Sequence, residues 1–169
     1  MEPITATVEN HLKAFPYIRH ADQCMEADNL NQAFESIYQC LEKVPHHGPA
    51  YNYLGWLHAL LDDDIQAERF FLLAIEHSPE FGASYLNYGQ LLLQQERTDE
   101  LRLLLRRVES VPKIDKEKLA SLQGQFAEFD ENYDIAISFY KKAVRYATDA
   151  ENVIQYKNSL ARCLLKQTN

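Results

Sequence analysis

Residues 51–79 read YNYLGWLHALLDDDIQAERFFLLAIEHSP and contain two runs of apolar residues at helical spacing. The first run places Leu54 and Gly55 three and four residues after Tyr51, and the second places Ala67 and Phe71 four residues apart. Steps of three and four residues are the spacing of an amphipathic helix. Three consecutive aspartates separate the runs, and their side-chain oxygens suit the unpaired backbone amides that open a helix. The stretch therefore predicts two amphipathic helices joined by a short turn.

The same arrangement recurs along the chain at a period of 34 or 35 residues. A small residue marks each copy at Ala21, Gly55, Gly89 and Gly124, and twelve residues later come Ala33, Ala67, Leu101 and Ala136. Small side chains let the backbones of two antiparallel helices approach closely where they cross. Periods of this length are typical of proteins built from stacked helix pairs. We therefore expect four pairs, at about residues 14–47, 48–81, 82–116 and 117–150.

The second copy resembles a tetratricopeptide repeat at seven positions: Tyr51, Leu54, Gly55, Ala67, Phe71, Ala74 and Pro79. The fourth copy keeps fewer of these positions, at Gly124, Ala136, Tyr140 and Ala143. The resemblance covers about residues 14–150. It implies an all-α fold, a right-handed α-solenoid of about four helix-turn-helix repeats. In such a solenoid the first helix of each repeat lines a concave groove.

The two ends of the chain need separate interpretations. Residues 151–166 carry apolar side chains at helical spacing, behind a capping box at residues 148–151, and predict a helix that caps the last repeat. Residues 1–13 are expected to form either an N-terminal arm or a short capping helix. Residues 14–169 are expected to fold as a single domain.

Charge is distributed unevenly along the chain. Residues 1–100 contain 5 Lys and Arg against 16 Asp and Glu, whereas residues 101–169 contain 12 against 9. The acidic part would repel phosphate, so nucleic-acid binding is not expected. The sequence contains no run of eighteen apolar residues that could span a membrane. Its three cysteines are an odd number and cannot all pair in disulfides. The composition therefore favours a reducing compartment, and we expect a cytoplasmic protein.

The resemblance also implies which residues face the groove. They are Asn52, Tyr53, Trp56, Leu86, Asn87, Gln90, Lys118, Ser121, Gln125 and, from the terminal helix, Gln155. Amide side chains suit a peptide because they both donate to its backbone and accept from it. Trp56 can supply an apolar anchor, or it can pack between neighbouring helices while the amides remain solvated. Some tetratricopeptide domains bind the acidic tail of heat-shock chaperones. Asp22 would repel the carboxylates of such a tail, so this ligand is not expected here.

No catalytic, cofactor-binding or metal-binding motif accompanies the repeats, so enzymatic activity is not expected. The leading hypothesis is a non-catalytic adaptor whose groove binds a peptide or helical segment of a partner protein. One alternative is a chaperone for a secreted partner, similar to the acidic tetratricopeptide chaperones of type III secretion. Another is a self-associating structural protein, such as a homodimer that pairs through Phe70 and Leu73 on the outer face.

All six histidines lie in the acidic part of the chain. An exposed histidine near carboxylates should gain a proton readily below about pH 6.5. A histidine that is buried and neutral should instead make the first two repeats less stable in acid.

Overall fold

The computed structural model describes residues 4–167, with side chains from residue 8 onward. This part of the chain is all-α, as predicted. Its helices are α1 Ile4–Glu26, α2 Leu30–Lys43, α3 Gly48–Leu60, α4 Asp64–His77, α5 Gly82–Gln94, α6 Thr98–Val108, α7 Lys116–Phe129, α8 Tyr133–Tyr146 and α9 Ala150–Gln167.

The chain divides into two compact units, and the boundary falls inside α5. Unit 1 is residues 1–91 and contains α1 to α4 with most of α5. Unit 2 is residues 92–169 and contains the end of α5 with α6 to α9. The single domain expected for residues 14–169 stays a prediction.

In unit 1, α1 packs against α2, α2 against α3, and α3 against α4. Ala21, Ile37, Leu54 and Leu57 are fully buried in the core of these helices. Burying one large aliphatic side chain contributes roughly 1.5–3 kcal/mol. The apolar faces read from the sequence are therefore the faces that hold the pairs together.

Helix α1 is longer than the repeat pattern predicts. Residues 4–13, expected to form an arm or a separate short helix, continue directly into the first helix of the first pair. Pro16 lies inside α1 and removes one backbone donor. Ala14 is buried and Tyr17 packs against the same core, so the helix is anchored on both sides of the proline. This packing explains why α1 continues through Pro16.

Two glycines mark close crossings between paired helices. A Cβ atom on Gly55 would lie 2.5 Å from Cδ1 of Phe71, and one on Gly124 would lie 2.9 Å from Cε1 of Tyr140. Carbon atoms do not approach so closely in a packed core. An aromatic ring sixteen residues later in the same pair therefore requires glycine at each position.

The turn inside a helix pair contains a left-handed residue at four equivalent places. Positive φ angles occur at Asp28, Asp62, Glu96 and Glu131. The following N–H closes the turn onto a carbonyl five residues earlier, as Asp63 does onto His58 at 3.0 Å. Asp63 then caps α4, because its Oδ1 accepts from the backbone N–H of Gln66 at 3.3 Å. The consecutive aspartates thus act in the turn and at the helix start.

In unit 2, α8 packs against both α7 and α9. Ala136, Tyr140 and Cys163 are buried where these helices meet. Helix α9 is the terminal helix that the sequence predicted, and it buries Tyr156 and Cys163.

Two carboxylates of α7 bind α9. Glu117 Oε1 accepts from Asn152 Nδ2 at 2.9 Å and from the Tyr156 hydroxyl at 3.1 Å. Glu128 accepts from Nε and Nη2 of Arg162 at 2.6 and 2.8 Å, a bidentate pair. These Arg162 hydrogen bonds lower the pKa of Glu128 below its usual value, although burial acts in the opposite direction.

Candidate functional site

An open cavity of about 580 Å³ lies between the ends of α1 and α3 in unit 1. Its apolar lining consists of Met25, Leu30, Trp56 and Leu60. Trp56 and Leu60 are one turn apart on α3, and they remain 44% and 50% exposed. Large apolar side chains that stay exposed around a concavity are characteristic of binding surfaces. We call this space the tryptophan cavity.

Three carboxylates, those of Asp22, Glu26 and Asp28, complete the lining of the tryptophan cavity. The Tyr53 hydroxyl donates to Oδ1 of Asp22 at 2.5 Å. Burial and this hydrogen bond raise the pKa of Tyr53 well above its usual value. The Tyr53 ring lies 6.2 Å from the Trp56 ring at an angle of 52°. Two expected groove residues, Tyr53 and Trp56, therefore have neighbouring rings: Trp56 lines the cavity, and Tyr53 is bonded to Asp22 of the lining.

The other expected groove residues of unit 1 lie in different environments. Asn52 and Leu86 are only 5% and 6% exposed, so the structure buries two residues that were expected to face a partner. Asn87 is half-buried, and its Nδ2 donates to Oδ1 of Asn52 at 3.0 Å. Gln90 is also half-buried and has interactions of its own. This bond gives the buried amide oxygen of Asn52 a partner, as a buried polar group needs.

A second cavity, of about 330 Å³, lies within unit 2. Three expected groove residues, Ser121, Gln125 and Gln155, line it together. Gln125 Nε2 donates to Oγ of Ser121 at 3.1 Å. Lys118 is exposed and is not part of this lining. We call this space the amide cavity.

The amide cavity also has lining residues that the sequence pattern did not predict, among them Tyr140, Tyr156 and Arg162. The Tyr140 hydroxyl donates to Oε2 of Glu128 at 3.0 Å, and burial together with this bond raises the pKa of Tyr140 well above its usual value. The sequence held one sign of this contact: the oppositely charged Glu128 and Arg162 are separated by the length of one repeat. That spacing does not reveal the side-chain directions that bring the two groups together.

The two residues proposed for self-association lie on α4 and are both half-buried. The Phe70 ring stacks with His58 at 5.2 Å and with Tyr51 at 6.4 Å between centroids. Phe70 therefore packs partly within unit 1, and self-association through this face stays a prediction. Leu73 is less open to solvent than its neighbour Leu72, which is 46% exposed.

The cysteines at positions 24, 40 and 163 are buried thiols without disulfides. Burial raises the pKa of Cys40 to about 11, which keeps it protonated and unreactive. Within residues 4–167, no helix has the length and apolar character needed to cross a membrane. In the same described part of the chain, no three His, Cys, Asp or Glu side chains are grouped as metal ligands.

No protein-family model and no curated protein matches the chain. Solved structures do match it. PilF of Pseudomonas aeruginosa is similar with a TM-score of 0.82 and 17% identity, over 95% of this chain and 71% of its own. TTC0263, a thermophilic tetratricopeptide protein of Thermus thermophilus, is similar with a TM-score of 0.71 and 18% identity, over 83% of this chain and 78% of its own.

The APC/C hetero-tetramer Cut9–Hcn1 contains a further match, with a TM-score of 0.74 and 16% identity, over 89% of this chain and 30% of that chain. Structural similarity at such low sequence identity shows that the fold is shared, and nothing more. The glycine–aromatic crossings, the recurring left-handed turns and the terminal helix agree with it. The chain therefore has the tetratricopeptide-repeat fold.

Proposed function

We propose that the protein is a non-catalytic interaction module that binds a segment of a partner protein in the tryptophan cavity. The observation that carries this proposal is that Trp56 and Leu60, one turn apart on α3, are both exposed in the lining of a concave cavity. Removing such apolar surface from water favours association by about 25 cal/mol per Å² before the costs of binding. A partner side chain in this cavity would gain that contribution.

The cavity is also supported by a group that already has a hydrogen-bond partner. The Tyr53 hydroxyl, whose ring lies beside Trp56, is held by Asp22 of the cavity lining. Side chains fixed before binding lose little entropy when a ligand arrives, and this improves affinity. The Tyr53–Trp56 surface is thus suited to receive a partner without rearrangement.

The amide cavity supports a second contact of a different kind. Ser121, Gln125 and Gln155 offer hydroxyl and amide groups that match the donors and acceptors of a peptide backbone. We therefore propose that the amide cavity is a polar contact site within unit 2 in its own right.

The comparisons support an interaction role in general terms. One match belongs to an assembly named as a hetero-tetramer, and another is named as the type IV pilus biogenesis factor PilW. The fold is shared with proteins of several systems, so it does not by itself identify a partner. Buried thiols at Cys24, Cys40 and Cys163 are compatible with our proposal of a cytoplasmic location.

The proposal is tested by selecting peptides from a random display library on the intact protein. Selected peptides should bind the intact protein and should lose at least about tenfold in affinity on Trp56→Ala, because an aromatic anchor in a cavity supplies a large part of binding. The matched control is Leu72→Ala, which removes an exposed apolar side chain outside the cavity.

Both variants are first compared with the intact protein by thermal unfolding and sedimentation velocity. Equal affinity of the selected peptides for the intact protein and Trp56→Ala would contradict the proposed site. Self-association of the intact protein through the cavity would instead appear as a dimer that Trp56→Ala dissociates.

A further inference from the structure

The charge of the tryptophan cavity restricts what it can bind. Asp22 is half-buried, whereas Glu26 and Asp28 are exposed on the rim. No basic side chain lines the cavity, and no ion pair to these carboxylates is found among the residues that the structure describes. Three negative groups around an apolar floor would repel an acidic segment and attract a cationic one.

The surrounding unit has the same sign of charge. Residues 1–91 contain 4 Lys and Arg against 13 Asp and Glu, a formal charge of −9, while residues 92–169 contain 13 against 12, a charge of +1. The field of unit 1 therefore adds to the local attraction for cations. Because the cavity also has an apolar lining, hydrophobic and electrostatic contributions favour the same place.

The aromatic wall narrows the chemistry further. An indole face attracts a cation placed within about 6 Å of its centre, and a planar guanidinium can stack on it. A guanidinium also matches carboxylates with two parallel hydrogen bonds, and it is more weakly hydrated than an ammonium group. Asp22 presents a second oxygen, Oδ2, beside the one that accepts from Tyr53.

We propose that the tryptophan cavity binds an arginine side chain flanked by apolar residues in a segment of a partner protein. The guanidinium lies against Trp56 and between the carboxylates of Asp22, Glu26 and Asp28, while the neighbouring apolar side chains contact Met25 and Leu60. This inference rests on the proposed function and specifies the chemistry of the partner.

The sole tryptophan of the chain is the cavity residue, so its fluorescence reports binding directly. The probe is a short capped peptide that alternates leucine and arginine. A matched peptide replaces each arginine by citrulline, which keeps the shape and removes the charge. The arginine peptide should shift Trp56 emission to saturation and should bind at least about tenfold more tightly than the citrulline peptide.

A second experiment removes carboxylate charges from the protein instead of charges from the peptide. The double variant Glu26→Gln with Asp28→Asn should weaken binding of the arginine peptide by about tenfold. The matched control, Glu35→Gln with Glu42→Gln, removes the same charge from exposed positions on α2 outside the cavity lining. It should weaken binding by less than about threefold, because distant exposed charges are largely screened.

Equal affinity of the arginine and citrulline peptides, or equal losses in the two double variants, would overturn the inference. If both peptides bind equally and Trp56→Ala abolishes their binding in isothermal titration calorimetry, which needs no tryptophan signal, the proposed function stands while the arginine preference fails. If neither peptide shifts Trp56 emission and the display selection yields no binder that depends on Trp56, the proposed function fails as well.

Discussion

At the scale of single residues, His47 shows how burial creates a sensitivity to acid. Its side chain is 7% exposed at the N-terminus of α3, where Nδ1 accepts from the backbone N–H of Ala50 at 3.3 Å. Nε2 lies 3.1 Å from Nδ1 of His11. A neutral His47 therefore carries its proton on Nε2 and donates it to His11. Burial, with His11 as a lesser cause, lowers the pKa of His47 to about 4.

The lowered pKa predicts that acid destabilises the protein. An unfolded histidine titrates near pH 6.5, so between about pH 6.5 and pH 4 the unfolded state binds more protons than the folded state. The stabilisation from neutral His47 is complete above this window and is lost as pH falls through it. At about pH 4.5 the loss should be roughly 2–3 kcal/mol relative to pH 7. Urea unfolding at the two pH values measures it.

The control for this prediction is His47→Asn, which keeps a capping side chain but cannot titrate. It should flatten the pH dependence, whereas His46→Asn at the exposed neighbouring position should leave it nearly as steep. The same pH dependence in His47→Asn as in the intact protein would rule out His47 as the cause.

Gly55 supports a second residue-scale prediction. Replacing it by alanine should gain up to about 1 kcal/mol from helix propensity but should cost about 1–3 kcal/mol from overpacking against Phe71. We expect net destabilisation in urea unfolding. The double variant Gly55→Ala with Phe71→Leu should lose less than the sum of the single changes, because the smaller side chain relieves the clash. A more stable Gly55→Ala protein would contradict the close crossing.

At the scale of elements, the turns between paired helices carry avoidable strain. Glu131 has a φ angle of 56°, which is unfavourable for a residue with a Cβ. Glu131→Gly should therefore stabilise the protein by about 0.5–1 kcal/mol, as measured by thermal unfolding. Glu35→Gly, in the middle of α2, is the matched control and should destabilise by about 1 kcal/mol. If Glu131→Gly and Glu35→Gly both destabilise the protein, the turn at Glu131 is not strained.

Element positions also show what sequence analysis could and could not supply. The spacing of Gly55 and Phe71 predicted the helix pair and its crossing, because periodicity and side-chain size are local properties. The same reasoning did not predict the continuous α1, since the packing of Ala14 and Tyr17 into the core, on either side of Pro16, is not a local property of the sequence. Tertiary contacts here override a local helix-breaking preference.

At the scale of the whole molecule, the candidate site was predicted only in part. Trp56 and Tyr53 were expected at one surface because they share a helix, and their rings are neighbours; that a partner binds there stays a prediction. The contact between Tyr53 and Asp22 joins residues 31 apart, and it depends on rotamers that no repeat pattern specifies. Burial of Asn52 was missed for the same reason, since its partner Asn87 lies on another helix. The acidic excess of residues 1–100 was visible, but the placement of three of its carboxylates in the lining of the tryptophan cavity was not.

The central claim is that the tryptophan cavity receives a partner segment. The most direct measurement is an amide and indole NMR titration of isotope-labelled protein with a display-selected peptide. The account predicts that the Trp56 indole N–H and the amides of Met25 and Leu60 shift together and saturate at one affinity. Saturable binding with shifts that leave these three residues unchanged would contradict it.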